Sequence, residues 1–208
     1  MEALDSNSKK IQEYLGMSGR PVGVKLVRQC VPIDDVGYDK LDGRKTFCRH
    51  IHEAAAGQNF MMRLEHLDCT DAELILGFRK PRFADVQPRI TEEIAAVRIG
   101  PVADADVIML VLNPEQAMTL SNVLPGIVTT FKKNRTVCGE GVARVCKENQ
   151  PVMTLLCIGA RTDGAFASHE LIVSLPYKTF LELPARMGKF VSFSRKALDG
   201  LAHRLKSL

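Results

Sequence analysis

The sequence predicts an α/β (α+β) fold, a mixed sheet flanked by helices. Three observations point there. The run Val107 to Leu112, VIMLVL, carries no charge and suits a central strand covered on both faces. The segment Asn59 to Leu67 alternates, with Phe60, Met62 and Leu64 on one side and Met61, Arg63 and Glu65 on the other. Between such runs lie segments with helix signals, of which Asn113-Pro114-Glu115-Gln116 is the best formed: Asn caps, Pro suits the first helical position, and Gln completes a capping box.

The elements follow in order. Residues 6–15 read as a helix, with Ser6 as cap, Ile11 and Leu15 turned inward and Gly16 as stop. Pro21 to Val27 reads as a first strand, and 30–46 as loop. A helix at 48–56, the strand 59–67, and a helix at 71–77 with an acidic first turn and a glycine stop come next. Residues 79–93 are polar connection. Strands at 94–99 and 106–112 precede the helix 113–123. A helix at 139–148, a strand at 151–158 ending on Cys157, and a strand at 170–175 follow. A helix at 177–187, broken by Pro184, and an amphipathic helix at 194–207 with Ala197, Leu198, Leu201 and Leu205 as its buried stripe close the chain.

The 208 residues suit a single domain over 1–208, with 46% hydrophobic residues to build a core. The net charge of +4 is spread along the chain. Its densest basic groups are Phe131 to Arg135 and a last helix carrying Arg195, Lys196, Arg204 and Lys206; these read as solvated surface. With no Trp and 6% aromatics, stacking platforms are scarce, so a nucleic-acid partner is disfavoured. The first residues lack the apolar core of a signal peptide, and no apolar run reaches the ~20 residues of a membrane span. The expectation is a cytoplasmic protein with no membrane association, whose six cysteines stay reduced. A redox partner protein and a homo-oligomer are the partners in view, the second from the Met-rich strand at Phe60 to Met62, which suits interface or core.

The cysteines repeat a pattern. Phe47-Cys48 opens an Ala-rich helix, a strand follows, and Cys69 comes after it. Val137-Cys138 opens a helix, a strand follows, and Cys157 lies near its end. The outline is that of a pseudo-duplication, with halves at about 19–100 and 101–187. A pseudo-two-fold axis would bring the two pairs together. Cys48, Cys69 and Cys138 each sit at a predicted helix start, where free N–H groups and the helix dipole favour a thiolate. Gly159, just after Cys157, leaves room for a bulky cofactor. Four such thiolates suit a [4Fe–4S] cluster, with tetrahedral zinc as the alternative metal. No C-x-x-C is present, and Cys also packs simply as a small hydrophobe. Cys146 fits that second role, on an apolar helix face; Cys30 is unassigned.

Other constellations are weaker. His50, His52 and His66 can ligate a metal or move protons, and Cys48 and His52 are four residues apart on one helix face, as in a Cys–His nucleophile; exposed surface histidines fit as well, and Glu65 is read likewise. Arg161 suits an anion or a surface salt bridge. Asn113 to Met118 follows a buried strand, where open sheets bind ligands, but reads more readily as a helix cap. Neither a P-loop nor a G-x-G-x-x-G is present; Gly139-Glu140-Gly141 lacks the third glycine.

The ordered segments FCRHIHEAAAG, LDCTDAELILGF, AVRIGPVADADVIMLVLNPEQAM, VCGEGVA and LLCIGAR with ELIVSLP carry a family resemblance. From about Gly19 to Met187 the chain resembles the uncharacterised prokaryotic family catalogued as domain of unknown function 169. The family pattern falls on Phe47, Cys48, Ala54 and Gly57; on Cys69, Leu76, Gly77 and Phe78; on Asn113, Pro114, Gln116, Ala117 and Met118; and on Cys138, Cys157, Gly159 and Arg161. The chain departs from it at Leu156, where family members often carry glycine. The resemblance implies that Cys48, Cys69, Cys138 and Cys157 share a site and that Cys30 and Cys146 stand outside it. It implies no activity. Three functions follow as expectations: an iron–sulfur protein of anaerobic-type metabolism that transfers electrons or handles a cofactor, a thiol-redox or cysteine-nucleophile enzyme built on Cys48, and a non-catalytic binding or regulatory module.

Overall fold

The computed structural model describes residues 2–33, 36–80, 89–101, 103–130 and 137–206. The order along the chain is α1 (Glu2–Leu15), β1 (Val22–Arg28), α2 (Phe47–Ala55), β2 (Phe60–Met62), α3 (Thr70–Ile75), β3 (Ile94–Gly100), β4 (Val107–Leu112), α4 (Pro114–Val123), β5 (Val128–Thr130), α5 (Val137–Glu148), β6 (Val152–Thr154), α6 (Ile158–Thr162), β7 (Leu171–Pro176) and α7 (Tyr177–Lys206). The strands make one mixed, seven-stranded sheet in the order β2-β3-β1-β4-β7-β6-β5. The β5–β6 pair is parallel and the other five are antiparallel. This is the α+β architecture expected from the sequence.

The charge-free run VIMLVL is the central strand β4, and its alternation explains the composition. Val107 and Met109 pack into a core with α2, α3, α5 and α6, while Ile108, Leu110 and Leu112 face the opposite core with α1, α4 and α7. With both sides covered, a polar residue on this strand would be buried without a partner. Helix α4 starts as its sequence demands. Asn113 Oδ1 accepts from the Gln116 amide and Gln116 Oε1 accepts from the Asn113 amide, both at 2.9 Å. An Asn113→Ala variant should lose about 1 kcal/mol, read in thermal unfolding as a drop of about 2–4 °C.

The two halves share one topology. Across the middle of the sheet β1 and β4 run antiparallel, with Gly23 opposite Ile108. Outward from there the order is β1-β3-β2 on one side and β4-β7-β6 on the other. The registers match residue for residue. Val24 opposite Ile99 and Ile99 opposite Phe60 correspond to Met109 opposite Ser174 and Ser174 opposite Val152. A pseudo-two-fold axis therefore passes between β1 and β4. It relates α2 to α5 and α3 to α6; the parallel bridge of Asp39 to Phe60 stands where β5 pairs with β6, and α4 is an addition of the second half.

Several expectations need correction. The strand foreseen at 59–67 stops at Met62, and a 3-10 turn over Leu64–His66 replaces its end. There the Arg63 amide donates to His66 Nδ1 at 3.1 Å, which takes it out of any strand ladder. The strand foreseen at 151–158 is only Val152–Thr154, and Cys157 caps the unforeseen helix α6. Strand β5 was also unforeseen, being three residues with no room for a period. The last two expected helices are one, α7, with Pro184 inside it. Phe180, Leu183 and Met187 around that proline are all fully buried, and their burial offsets the cost of about 3 kcal/mol that an interior proline imposes. The 131–135 basic group and the side chains of the 194–207 stripe lie outside the described residues.

Candidate metal centre

Helix α2 starts on a cap and an anchor. Thr46 Oγ1 accepts from the Arg49 amide at 3.2 Å, and Phe47 is fully buried. These place Cys48 in the first turn, on the face turned to the sheet. Its pseudo-symmetric counterpart in α5 is Cys138, also in the first turn and likewise buried. The two helices pack near the axis, and the Sγ atoms of Cys48 and Cys138 lie 3.0 Å apart. Both are free thiols, well beyond the about 2.05 Å of an S–S bond.

The second pair caps the short helices. Cys69 precedes α3 and Cys157 precedes α6, both in extended backbone. The packing is crossed, as the axis requires: α3 lies on α5 and α6 lies on α2. Cys157 and Cys69 are both close enough to Cys48 to act electrostatically on its thiol. All four cysteines that the sequence singles out thus meet at one place. Cys48 and Cys138 form its floor, while Cys69 and Cys157 are half-buried at its mouth. The counterparts continue past the cysteines. Ala72 and Ala160 are both fully buried, and Gly77-Phe78 corresponds to Ala165-Phe166, with Gly77 and Ala165 both at positive φ.

The electrostatics keep Cys48 and Cys157 protonated in a metal-free site. The hydrogen bond with Cys138 pushes the Cys48 thiol far above its ordinary range; burial and the neighbouring sulfurs add to this, and only the nearby Cys157 opposes it. The nearby Cys48 thiol and burial push Cys157 up in the same way, although the amides of Ala160 and Gly159 pull it back. Packed thiolates repel one another, so a cation that replaces the protons removes the conflict.

Sulfur-only donors suit iron–sulfur clusters and thiophilic metals. The Cys48–Cys138 contact is tighter than the about 3.8 Å between two thiolates on one tetrahedral zinc with Zn–S bonds of about 2.3 Å. Among the described residues no group of three or more His, Cys, Asp or Glu side chains is placed to hold a single metal ion. Any bound metal requires this thiol pair to part. The mouth has space: a Cβ on Gly159 would meet Cys157 Sγ alone within 4 Å, at an unstrained 3.8 Å.

The other expected residues serve the fold. His50 is fully buried, and its Nε2 bonds the His66 carbonyl at 3.2 Å. Its Nδ1 has no hydrogen-bond partner, and burial lowers its pKa. His52 stacks edge-on against Phe166, with centroids 5.2 Å apart. His66 is occupied by the Arg63 amide, and Glu65 is exposed. Arg161 donates to the carbonyls of Ala167 and Glu170, which ties α6 to the loop before β7. The Asn113 segment is a capping box. Gly141 is where α5 comes closest to the sheet, since a Cβ there would lie 2.6 Å from Ser174 Oγ. Cys146 is not a core residue. It is exposed and lines a cleft of about 490 Å³ with Arg28, Arg89, Glu92, Asp106 and Lys147. Cys30 is exposed as well.

Sequence reasoning missed the rim of the site. Leu155 and Ile158 flank Cys157 and are 48% and 82% exposed. In the run MTLLCIGA they look like strand core; only the stop of β6 at Thr154 turns them outward.

No helix among the described residues is long and apolar enough to cross a membrane. No solved structure matches the chain. An uncharacterized protein of Methanocaldococcus jannaschii is 25% identical over 205 residues, covering 82% of this chain and 87% of that protein. The model of the family described as uncharacterised ArCR, domain of unknown function 169, matches residues 10–98 and again 80–185. With its ordered cysteine segments and most of its length matched, the chain belongs to the domain of unknown function 169 family.

Proposed function

We propose that Cys48, Cys69, Cys138 and Cys157 hold a [4Fe–4S] cluster and that the protein transfers electrons or handles a cofactor in anaerobic-type metabolism, in the cytoplasm. The observation that carries this reading is the meeting of four free thiols on the pseudo-two-fold axis. When bound, such a cluster supplies one-electron chemistry at a potential set by its surroundings. The chain's own residues supply those surroundings. Phe47 and Thr46 fix the Cys48 end of α2, the buried floor excludes water, and the amides of Gly159 and Ala160 point toward the Cys157 sulfur. The half-exposed Cys69 and Cys157 mark the side from which a redox partner reaches the centre, and a homo-oligomer would form on the same apolar rim.

A thiol-nucleophile enzyme built on Cys48 is supported less. Cys48 is buried, its thiol is pushed up rather than down, and His52 is turned to Phe166. The test is iron, acid-labile sulfide and visible absorption on protein purified without oxygen. About four irons and four sulfides per chain are expected. Zinc alone would keep the four-thiolate site and remove the redox role. A colourless, metal-free protein with four reduced thiols would overturn the reading.

A further inference from the structure

We infer that the metal-free site is a redox latch: Cys48 and Cys138 close into a disulfide across the pseudo-two-fold axis, and the closed form does not take up metal. The inference rests on the cluster reading for its consequence, not for the disulfide itself. The two sulfurs are already 3.0 Å apart, and bonding requires them to approach by about 1 Å. Each sits in the first turn of a helix of nine residues or more, so the pair is held by packed elements rather than by a loop.

The oxidant is a low-molecular-weight disulfide. It cannot reach the buried pair directly, but Cys157 is half-exposed and close enough to Cys48 to act on its thiol. The Cys157 sulfur attacks the small disulfide and releases one small thiol. Cys48 then attacks the Cys157 sulfur and releases the second, leaving a Cys48–Cys157 bond. Cys138, in contact with Cys48, breaks that bond and regenerates the Cys157 thiol. In sum two protein thiols lose two electrons and two protons, and one small disulfide becomes two small thiols. Opening reverses this with excess dithiol. Only the minor thiolate form attacks, so closure runs over minutes to hours.

The test uses the full chain carrying Cys30→Ser and Cys146→Ser, which removes the exposed thiols outside the site. The metal-free protein is incubated with oxidised glutathione, alkylated and digested with trypsin. The four remaining cysteines fall on separate peptides: 46–49, 64–79, 136–144 and 148–161. The expected end product is a chain lighter by two hydrogens, with peptides 46–49 and 136–144 joined. A stable link from Cys157 to Cys48, a Cys69–Cys138 link, or glutathione adducts without an internal bond would overturn the latch. Iron and sulfide are then offered to both forms. Uptake about tenfold lower in the oxidised chain, restored by dithiothreitol, is expected; equal uptake by both overturns the regulatory role. If the reduced chain also takes none, the cluster reading fails, and the peptide map alone decides the latch.

Discussion

Replacing Cys138 with serine is expected to remove the iron, from about four atoms per chain to less than about one. The side chain is fully buried in the first turn of α5 and touches Cys48. A hydroxyl is a hard, weakly acidic donor and does not replace a thiolate on iron. Burying it costs about 1–3 kcal/mol if it finds no partner, against total stabilities of about 5–15 kcal/mol. The variant therefore stays folded, and iron loss reports the ligand rather than collapse. Cys138→Ala separates the effects further, since it buries no polar group and is expected to lose the iron equally. By the pseudo-symmetry Cys48→Ser should behave in the same way. Cys69→Ser and Cys157→Ser lie at the half-exposed mouth, where water reaches a vacated position, and should retain more iron than the floor variants. Cys146→Ser should retain all of it. Full iron content in Cys138→Ser would remove this residue from the site.

What the sequence shows depends on how far apart the interacting groups are. The central strand was legible because burial on both faces excludes charge over six consecutive residues. The α4 start was legible because its cap closes within four residues. The four cysteines were legible as a set because three open predicted helices and Cys157 repeats the place of Cys69 after a strand, but their contact was not. Cys48 and Cys138 are 90 residues apart and meet only through sheet registers that no local pattern encodes. The two halves share few side chains: Cys48 with Cys138, Cys69 with Cys157, Ala72 with Ala160, Phe78 with Phe166. Elsewhere the halves exchange Ile51 and Ile99 for Gly141 and Ser174, which brings α5 close to the sheet and hides the relation. Strand lengths failed for another reason. In MTLLCIGA the apolar run outlasts the ladder, because Leu155 and Ile158 serve the rim of a site and not the core. Pro184 misled because local propensity says nothing of the packing of Phe180, Leu183 and Met187 that overrides it.

Truncating Phe47 to alanine is expected to cost about 3–5 kcal/mol, a fall of about 6–20 °C in the thermal midpoint for a chain of this size. The ring is fully buried at the first position of α2, inside the core formed with α3, α5 and α6. Phe180→Ala is the matched control. It too is fully buried, but in the opposite core, with α1 and α4. Both variants remove one aromatic ring and leave a cavity, so circular dichroism should report similar losses. They should differ at the site. Phe47 is the residue before Cys48, and a cavity there frees the first turn of α2 to shift. Cys48 in metal-free Phe47→Ala should react with iodoacetamide faster than in the parent, well below the unfolding midpoint. In Phe180→Ala the sheet stands between the cavity and the cysteines, and the Cys48 rate should match the parent until global unfolding begins. Equal acceleration in both would mean that the floor of the site opens only when the whole domain does; acceleration in Phe47→Ala alone would show that the buried anchor of α2 holds the thiol pair together.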